Sequence, residues 1–358
     1  MMPKELLYRA EGLPVFQNRI FHSGEEARSC ATGDVELIQE PETGLIFNRA
    51  FRPELMKYDA DYHNEQGLST AFQSHLRNVS DTVRRHFHKS TLIEVGCGKG
   101  HFLESLQALG FEITGLDPAY EGTNPSIVKQ YFSAEAGLTG DGIILRHVLE
   151  HVQDPIAFLS KIRDANGGQG KIYIEVPCLD WICDRRVWFD IFYEHVNYFR
   201  LADFHRIFGT VFEAGHTFSG QYLYAVADIA SLRVPTREGA KPFEFPEYFL
   251  DGVNRYAARL RARKGAPVAI WGAASKGVIF SLFMERAGAG VDMVVDINPA
   301  KQGMFLPVTG LRVQTPETAM RTLPPGAEIF VMNGNYLEEV KALTHNRFNC
   351  IAVDHEHI

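Results

Sequence analysis

Two histidines lie close together in the segment from Ile144 to Pro155, which has the sequence ILRHVLEHVQDP. His147 and His151 are four residues apart and would share a face on a helical turn. Such a pair suits a metal site, an acid–base pair or the edge of a cofactor pocket. The order His-x-x-Glu-His occurs in one class of zinc proteases, but zinc needs further ligands, and here the motif follows a predicted strand. We therefore predict no metal, and His151 either contacts substrate or is a buried structural histidine.

A second group of reactive side chains lies in FDIFYEHVNYFRLADF, residues 189–204. Tyr193, Glu194, His195 and Tyr198 fall within six residues of one another. A histidine with a neighbouring carboxylate can titrate near neutral pH and act as a general base. The alternative interpretation is an aromatic loop that packs on the edge of a domain.

The strongest local signal is a glycine-rich turn, IEVGCGKGHF, at residues 93–102. Gly96, Gly98 and Gly100 let the backbone turn tightly and approach a ligand. Their spacing differs from the dinucleotide turn Gly-x-Gly-x-x-Gly, and the Lys-Ser/Thr of a phosphate loop is missing. Glu94, on the strand before the turn, suits a ligand that carries an amino group. Asp117 ends the next predicted strand, where a carboxylate can accept both hydroxyls of a ribose.

The elements around these residues alternate between short apolar runs and helical periodicity. The runs at 91–95, 111–116, 141–148 and 171–177 predict strands, and a helix with one apolar face precedes them at 68–87. This alternation is typical of a parallel sheet with helices on both faces. Two extended runs around Ser219-Gly220 predict a terminal antiparallel hairpin.

A proline-rich, charged break near residues 232–247 separates two such units. We therefore divide the chain into an irregular N-terminal segment (1–64), an α/β domain with a leading helix (65–235) and a smaller C-terminal α/β domain (236–358). The C-terminal domain has its own glycine turn, residues 272–277, which opens a helix. Lys276 and the N–H groups of that turn could hold an anion; alternatively, the domain only packs against its neighbour.

Composition excludes several classes of protein. The chain has 358 residues, of which 45% are hydrophobic, and a net charge of −8. No strongly basic stripe is present, which disfavours a nucleic-acid partner. The sequence has no run of about 18 apolar residues, so no membrane span is expected. The first residues lack the apolar core of a signal segment. Five cysteines without a CxxC pair indicate a reduced, cytoplasmic protein.

The glycine turn, the acid on the second strand and the motif after the third together resemble the class I S-adenosylmethionine (SAM) methyltransferases. The resemblance implies a Rossmann-like domain with a seven-stranded, mostly parallel sheet and an antiparallel terminal hairpin, followed by a smaller Rossmann-like domain. It also implies SAM as cofactor. The residues expected around SAM are Tyr62, Glu94, Gly96, Cys97, Gly98, Gly100, Asp117, Pro118, Phe132, Ser133, Arg146 and His147.

A narrower resemblance rests on Tyr-Glu-His-Val-Asn-Tyr-Phe, residues 193–199, and on IWGAASKGVIF and VDINPAKQGMFLP in the C-terminal domain. These segments look like those of bacterial sugar C-methyltransferases. That family typically begins with a four-cysteine zinc domain, whereas the first 60 residues here contain only Cys30. Four ligands cannot be assembled from them, so we predict no structural zinc.

This resemblance implies methylation of the carbon next to a ketone in a nucleotide-linked keto-deoxysugar. A base must first remove a proton to form an enolate, and we predict His195 as that base, supported by Tyr193 and Glu194. His147 or Tyr198 would stabilise the enolate oxygen. Further contacts with the acceptor are expected from Tyr58, His151 and Lys276.

Three other functions stay open at this stage. An O- or N-methyltransferase acting on another small metabolite would use the same base. A SAM-binding scaffold protein without catalysis would keep the glycine turn but not need the base. An NAD-dependent dehydrogenase is disfavoured by the glycine spacing.

Overall fold

The computed structural model describes residues 6–56, 67–88, 90–263 and 265–355. Within these residues the chain forms three β-sheets with helices packed around them. The strands are β1 (Leu6–Pro14), β2 (Thr32–Gln39), β3 (Ile46–Asn48), β4 (Thr91–Val95), β5 (Glu112–Leu116), β6 (Ile127–Val128), β7 (Gly142–Arg146), β8 (Lys171–Pro177), β9 (Asn197–Tyr198), β10 (Val211–Thr217), β11 (Tyr222–Asp228), β12 (Val268–Trp271), β13 (Met293–Val295), β14 (Val313–Gln314), β15 (Glu328–Val331) and β16 (Asn349–Ala352).

The α-helices lie between these strands and on the faces of the sheets. They are α1 (Gly24–Arg28), α2 (Thr70–His86), α3 (His101–Ala108), α4 (Pro155–Ala165), α5 (Leu179–Asp184), α6 (Leu201–Ile207), α7 (Asp251–Ala262), α8 (Ser275–Arg286), α9 (Pro316–Thr322) and α10 (Leu337–Leu343). No helix in these described ranges is both long and apolar enough to cross a bilayer.

The central sheet has seven strands in the order β10-β11-β8-β7-β4-β5-β6. β4 to β8 are parallel, whereas β11 runs antiparallel to β8 and pairs with β10. The turn between β10 and β11 has positive φ angles at Phe218, Ser219 and Gly220. The predicted seven-stranded architecture with its terminal hairpin is confirmed.

The C-terminal unit is built on a second parallel sheet, with the order β14-β13-β12-β15-β16. Its first strand, β12, leads into a glycine turn and then α8, as the sequence predicts. Gly277 has to be glycine because a Cβ there would collide with the carbonyl oxygen of Gly272. This close approach presses α8 against the strand that precedes it.

The N-terminal segment is not irregular, contrary to expectation. β1, β2 and β3 form an antiparallel sheet that β9, more than 140 residues later in the chain, completes. Two irregularities in the β1–β2 register break the alternation of apolar and polar residues, which hides the strands from a periodicity analysis. The pairing of β3 with β9 anchors the loop that carries His195.

One hydrophobic cluster runs through all three sheets. It includes Leu13 and Val35 of the N-terminal sheet, Leu145 of the central sheet, and Phe280 and Phe330 of the C-terminal unit. The three sheets therefore share one core, in which apolar side chains of each sheet pack against those of the others.

The C-terminal unit also caps the leading helix of the central domain. The side chain of Ser69 accepts a hydrogen bond from the Phe72 N–H at the start of α2. Glu339 of α10 in turn accepts from Ser69 Oγ (2.7 Å), Thr70 Oγ1 (3.1 Å) and the Ala71 N–H (3.2 Å). A carboxylate at a helix N-terminus also interacts favourably with the helix dipole.

Replacing Glu339 with glutamine removes the charge from this cap, and we expect the free energy of unfolding to fall by about 1 kcal/mol. The neighbouring Glu338 is exposed and pairs with Lys341 on its own helix, so Glu338→Gln should change the free energy of unfolding by less than about 0.5 kcal/mol. Urea unfolding midpoints compare the two variants. Equal effects would contradict the capping role of Glu339.

Candidate functional site

The first glycine turn joins β4 to α3. Gly96, Gly98 and Gly100 all have positive φ, between 55° and 84°. A Cβ on Gly96 would lie 2.5 Å from Val148, and one on Gly100 would collide with Ile127, whereas nothing lies within 4 Å of a Cβ on Gly98. The outer two glycines are therefore needed for packing, and the middle one leaves open space over the backbone.

Asp117, at the end of β5, is joined directly to this turn. Its carboxylate accepts hydrogen bonds from the Gly98 N–H (2.9 Å) and the Ala119 N–H (2.8 Å). The sequence predicted that the turn and this acid serve one pocket, and the structure brings them into contact. Pro118 is exposed beside them.

The remaining residues expected around the cofactor differ in their surroundings. Cys97 is buried and sits over Gly115, and burial raises the pKa of its thiol. Phe132 is half-buried against the hydrophobic cluster, and Ser133 is half-buried beside it. Tyr58 and Tyr62 lie outside the described residues.

Glu94 is a buried acid with an unsatisfied oxygen. It is 4% exposed, and its Oε2 has no hydrogen-bond partner within the described ranges. Burial raises its pKa to about 8, with a further contribution from Asp117 that Arg146 opposes. A carboxylate in this position can hold a cationic group that enters the pocket.

Arg146 and His147 end β7 and meet at the buried carboxylate of Glu175 on β8. Oε1 of Glu175 lies 3.0 Å from Nη2 of Arg146 and 3.0 Å from Nε2 of His75 on α2, and its Oε2 accepts from Tyr173. Burial alone would raise the pKa of Glu175, but Arg146, His147 and His75 outweigh it and hold that pKa well below its usual range. Arg146 also lies over the ring of Phe102, at 4.6 Å from its centroid.

His147 is held between two carboxylates. Nδ1 lies 3.3 Å from Oε1 of Glu150, and Nε2 forms an ion pair at 3.1 Å with Glu175. Its φ of 52° is unusual for a residue other than glycine. Burial disfavours the charged ring, but the two carboxylates outweigh that effect and raise the pKa of His147 to about 9. His147 therefore carries a positive charge at neutral pH.

A cavity of about 210 Å³ opens beside His147, between the central domain and the C-terminal unit. The carboxyl ends of β7 and β8 form one wall, and the carboxyl ends of β12 and β15 form the other. The polar side chains that line it are Asn18, Ser69, His147, Glu150, His151, Asp190, Glu194, His195, Gln221, Tyr222, Ser275, Lys276, Asp296, Lys301, Asn333, Tyr336 and Glu339.

The two remaining histidines lie together in this cavity. The ring centroids of His151 and His195 are 5.0 Å apart. Nδ1 of His151 lies 2.9 Å from the carbonyl oxygen of Glu194. Burial, and then the positive fields of His151 and His147, lower the pKa of His195 well below its usual value. His195 is therefore neutral at neutral pH, rather than poised by a carboxylate as the sequence suggested.

Tyr193 and Tyr198 are absent from the residues that line the cavity, and their predicted catalytic and substrate roles stay predictions. The hydroxyl of Tyr193 accepts from the Arg52 N–H at 2.8 Å, and its ring fills the space over Gly33 in the N-terminal sheet. The Tyr198 hydroxyl bonds to the backbone of Phe192 at 3.1 Å. Both tyrosine hydroxyls are thus tied to backbone groups and anchor the loop, whereas Glu194 and His195 line the cavity.

Glu194 lines the cavity, and its Oε2 accepts from the Gln17 N–H at 2.9 Å. Lys276, from the second glycine turn, also reaches the cavity. Its Nζ lies 3.2 Å from Oδ2 of Asp190 and 4.7 Å from the centroid of Trp181. The C-terminal unit therefore forms part of the same site as the histidines.

Several residues of the site escaped the sequence analysis, among them Glu150, Glu175, Asn18 and Lys301. Glu150 lies in the motif ILRHVLEHVQDP, but no role was predicted for it. Glu175 is the single acidic residue within the apolar run KIYIEVP. Asn18 and Lys301 bond to each other across the cavity at 3.4 Å. They are nearly 300 residues apart in the chain, so no local pattern connects them.

Comparisons with known proteins match the two halves of the chain separately. Residues 64–211 match the family model of a methyltransferase domain, and residues 251–347 match that of a C-methyltransferase C-terminal domain. The C-methyltransferase NovU of Streptomyces niveus is 25% identical, over 70% of this chain and 67% of NovU. A ubiquinone biosynthesis O-methyltransferase of Methylobacterium nodulans is 33% identical, over 23% of this chain and 42% of that protein.

Among solved structures, the 1,6-didemethyltoxoflavin-N1-methyltransferase of Burkholderia thailandensis, with bound 1,6-didemethyltoxoflavin and S-adenosylhomocysteine, is similar at a TM-score of 0.34. The two proteins are 14% identical, and the match covers 51% of this chain and 95% of the solved structure.

Glu94 gives a prediction for the ligand-free protein. Because its folded pKa is raised to about 8, the folded state holds that proton more tightly than the unfolded state, and stability falls as pH rises toward 8. Glutamine mimics the protonated acid, so Glu94→Gln should become more stable relative to the unmodified protein between pH 6 and pH 8. Urea midpoints measure this. The exposed Glu112 on the adjacent strand provides the control, Glu112→Gln; a Glu94→Gln difference that is constant with pH would contradict the assignment.

Proposed function

The chain belongs to the SAM-dependent methyltransferases and carries a C-methyltransferase C-terminal domain, and on that premise we propose that it methylates a carbon atom of a nucleotide-linked keto-deoxysugar. The observation that carries this proposal is the shared cavity, in which His147, His151 and His195 face the glycine turn of the C-terminal unit. A neutral base, a fixed cation and an anion-binding turn are the groups that such a reaction needs.

The pocket around the first glycine turn fits SAM. The unsatisfied Oε2 of Glu94 suits the ammonium group of the methionine part, and the open space over Gly98 admits its backbone. Asp117 keeps lone pairs for the ribose hydroxyls, and Phe132 and Ser133 are proposed beside the adenine. Cys97, Pro118 and Arg146 complete the proposed pocket, with Tyr62. When bound, SAM supplies an electrophilic methyl group.

His195 is the proposed base. A carbon next to a ketone becomes nucleophilic only after it loses a proton, and a neutral imidazole can accept that proton. The depressed pKa of His195 keeps the ring neutral, so its lone pair is available throughout the physiological range. Burial excludes water that would compete for the base. Glu194 supports the site through the hydrogen bond from His151 to its carbonyl, and His151 itself is proposed to contact the acceptor.

His147 is the proposed stabiliser of the enolate oxygen. Its ring is positively charged and held by Glu150 and Glu175 before any substrate arrives. A preorganised cation at the place where negative charge develops lowers the barrier without reorganisation. The ion pair with Glu175 limits the net charge that His147 presents, while the hydrogen bond between Nδ1 and Glu150 orients the ring.

The nucleotide part of the acceptor is proposed to bind at the start of α8. The N-cap residue Ala274 has no side-chain bond to the helix N-terminus, and Ser275, Lys276 and Gly277 line the cavity. Free N–H groups at a helix N-terminus bind phosphate, and Lys276 adds a charge. NovU, a C-methyltransferase, matches this chain over 70% of its length, which supports a carbon acceptor.

Incubation with SAM and a panel of nucleotide-linked keto sugars, followed by mass spectrometry and NMR of the products, tests this function. A gain of one methylene, with the new methyl on a carbon next to the ketone, is expected. A new methyl on oxygen or nitrogen would contradict C-methylation and indicate an O- or N-methyltransferase. No methylation of any keto sugar would overturn the acceptor class.

His195→Asn should lower kcat by about 10²- to 10⁴-fold, the usual contribution of a general base, without weakening SAM binding. The matched control is His205→Asn, an exposed histidine on α6, which should have near-normal turnover. Steady-state kinetics and calorimetric SAM titrations separate the two effects. Near-normal turnover in His195→Asn would exclude it as the base.

Asp117→Ala should weaken SAM binding by about 10- to 100-fold, because a charged acceptor of hydrogen bonds contributes roughly 1.5–3 kcal/mol. The control is Asp164→Ala, which removes an exposed carboxylate of α4. Calorimetry measures both variants. Unchanged affinity in Asp117→Ala would contradict the proposed donor pocket.

A further inference from the structure

Three side chains in the cavity present metal-binding atoms to one another. The ligand atoms of Glu150, His151 and His195 all lie within 4.8 Å of each other. Glu150 is 1% exposed and His195 is 8% exposed, and all three line the cavity. They come from the end of β7 and from the loop after α5, so the fold assembles a group that spacing in the sequence could not show.

Each side chain keeps a lone pair for a ligand. Oε1 of Glu150 faces His147 at 3.3 Å, whereas its Oε2 is buried and has no hydrogen-bond partner in the described part of the chain. Nδ1 of His151 bonds to the carbonyl oxygen of Glu194, which places the proton on Nδ1 and leaves Nε2 as the acceptor. An orienting hydrogen bond of this kind accompanies nearly all histidines that ligate metals.

We propose that Glu150, His151 and His195 bind a zinc ion, which occupies the acceptor side of the cavity and blocks turnover. Two imidazoles and one carboxylate form a donor set that zinc accepts readily, whereas Mg²⁺ and Ca²⁺ prefer oxygen alone. The cavity leaves the fourth position open to water.

Zinc binding requires only a small movement of the three side chains. Zinc–nitrogen and zinc–oxygen bonds of about 2.0–2.2 Å place tetrahedral ligand atoms about 3.4 Å apart. The three atoms lie within 4.8 Å, so side-chain rotations of about 1 Å bring them to zinc. The cationic His147, which contacts Glu150, is also paired with Glu175 at 3.1 Å, which offsets its repulsion of the metal.

Inhibition follows from the coordination chemistry. A zinc ion on His195 takes the lone pair that would otherwise accept the proton of the acceptor carbon. Because the metal lies in the acceptor cavity and not at the first glycine turn, zinc should compete with the acceptor and leave SAM binding unchanged. The inhibition rests on the proposed base role of His195, whereas zinc binding itself does not.

The test uses the metal-free full chain and Zn²⁺. Calorimetry should show one zinc ion bound per chain, with affinity at least about 10- to 100-fold weaker in Glu150→Gln and in His195→Asn and unchanged in His205→Asn. Zinc-soaked crystals of the unmodified protein should show an anomalous peak between the three side chains, a readout that does not depend on the folding of any variant.

Two results would overturn the site: an anomalous peak elsewhere or none at all, or unchanged zinc affinity in both ligand variants when circular dichroism shows that they are folded. Zinc found between the three side chains while turnover stays unaffected supports the site and instead removes His195 from its role as base. The outcome for the metal and the outcome for the proposed reaction are therefore distinguishable.

Discussion

The arrangement of the site depends on one buried carboxylate. Glu175 has no exposed surface, and it can carry a charge there only because Arg146, His75, His147 and Tyr173 all direct polar atoms to it. An ionised carboxylate in an apolar interior is costly unless every lone pair is used. Each partner is therefore fixed in place, and the network joins the leading helix to the two central strands.

The same network determines the electrostatics of the cavity. His147 takes a backbone conformation that non-glycine residues rarely adopt, and its two carboxylate partners hold it there in the charged form. That charge lies near His195 and helps to keep it neutral. The pKa values of two histidines of one cavity are thus displaced in opposite directions because their environments differ, a pattern that commonly separates the roles of acid and base.

Sequence reasoning succeeded where the signal was local. The strand–helix alternation predicted both parallel sheets, and the spacing between the glycine turn and Asp117 predicted one shared pocket, where the structure places them in contact. It failed where the information was non-local or depended on side-chain direction. The N-terminal sheet is completed by a strand from a distant loop, and Tyr193 points away from the neighbour with which it was grouped. Glu150, Asn18 and Lys301 gain their positions only from the packing of three sheets.

The two parts of the site are formed by different numbers of structural units. The turn at Gly98 and Asp117 belongs to one unit alone, whereas the space beside the histidines is bounded by both units and also lined by Asn18, which follows β1. Under the proposed function, a change of acceptor during divergence therefore requires matched changes on both walls, whereas the pocket proposed for the methyl donor can stay unchanged. Recombination that exchanges only the C-terminal unit would redraw one half of the acceptor space and leave the chemistry at the other half intact.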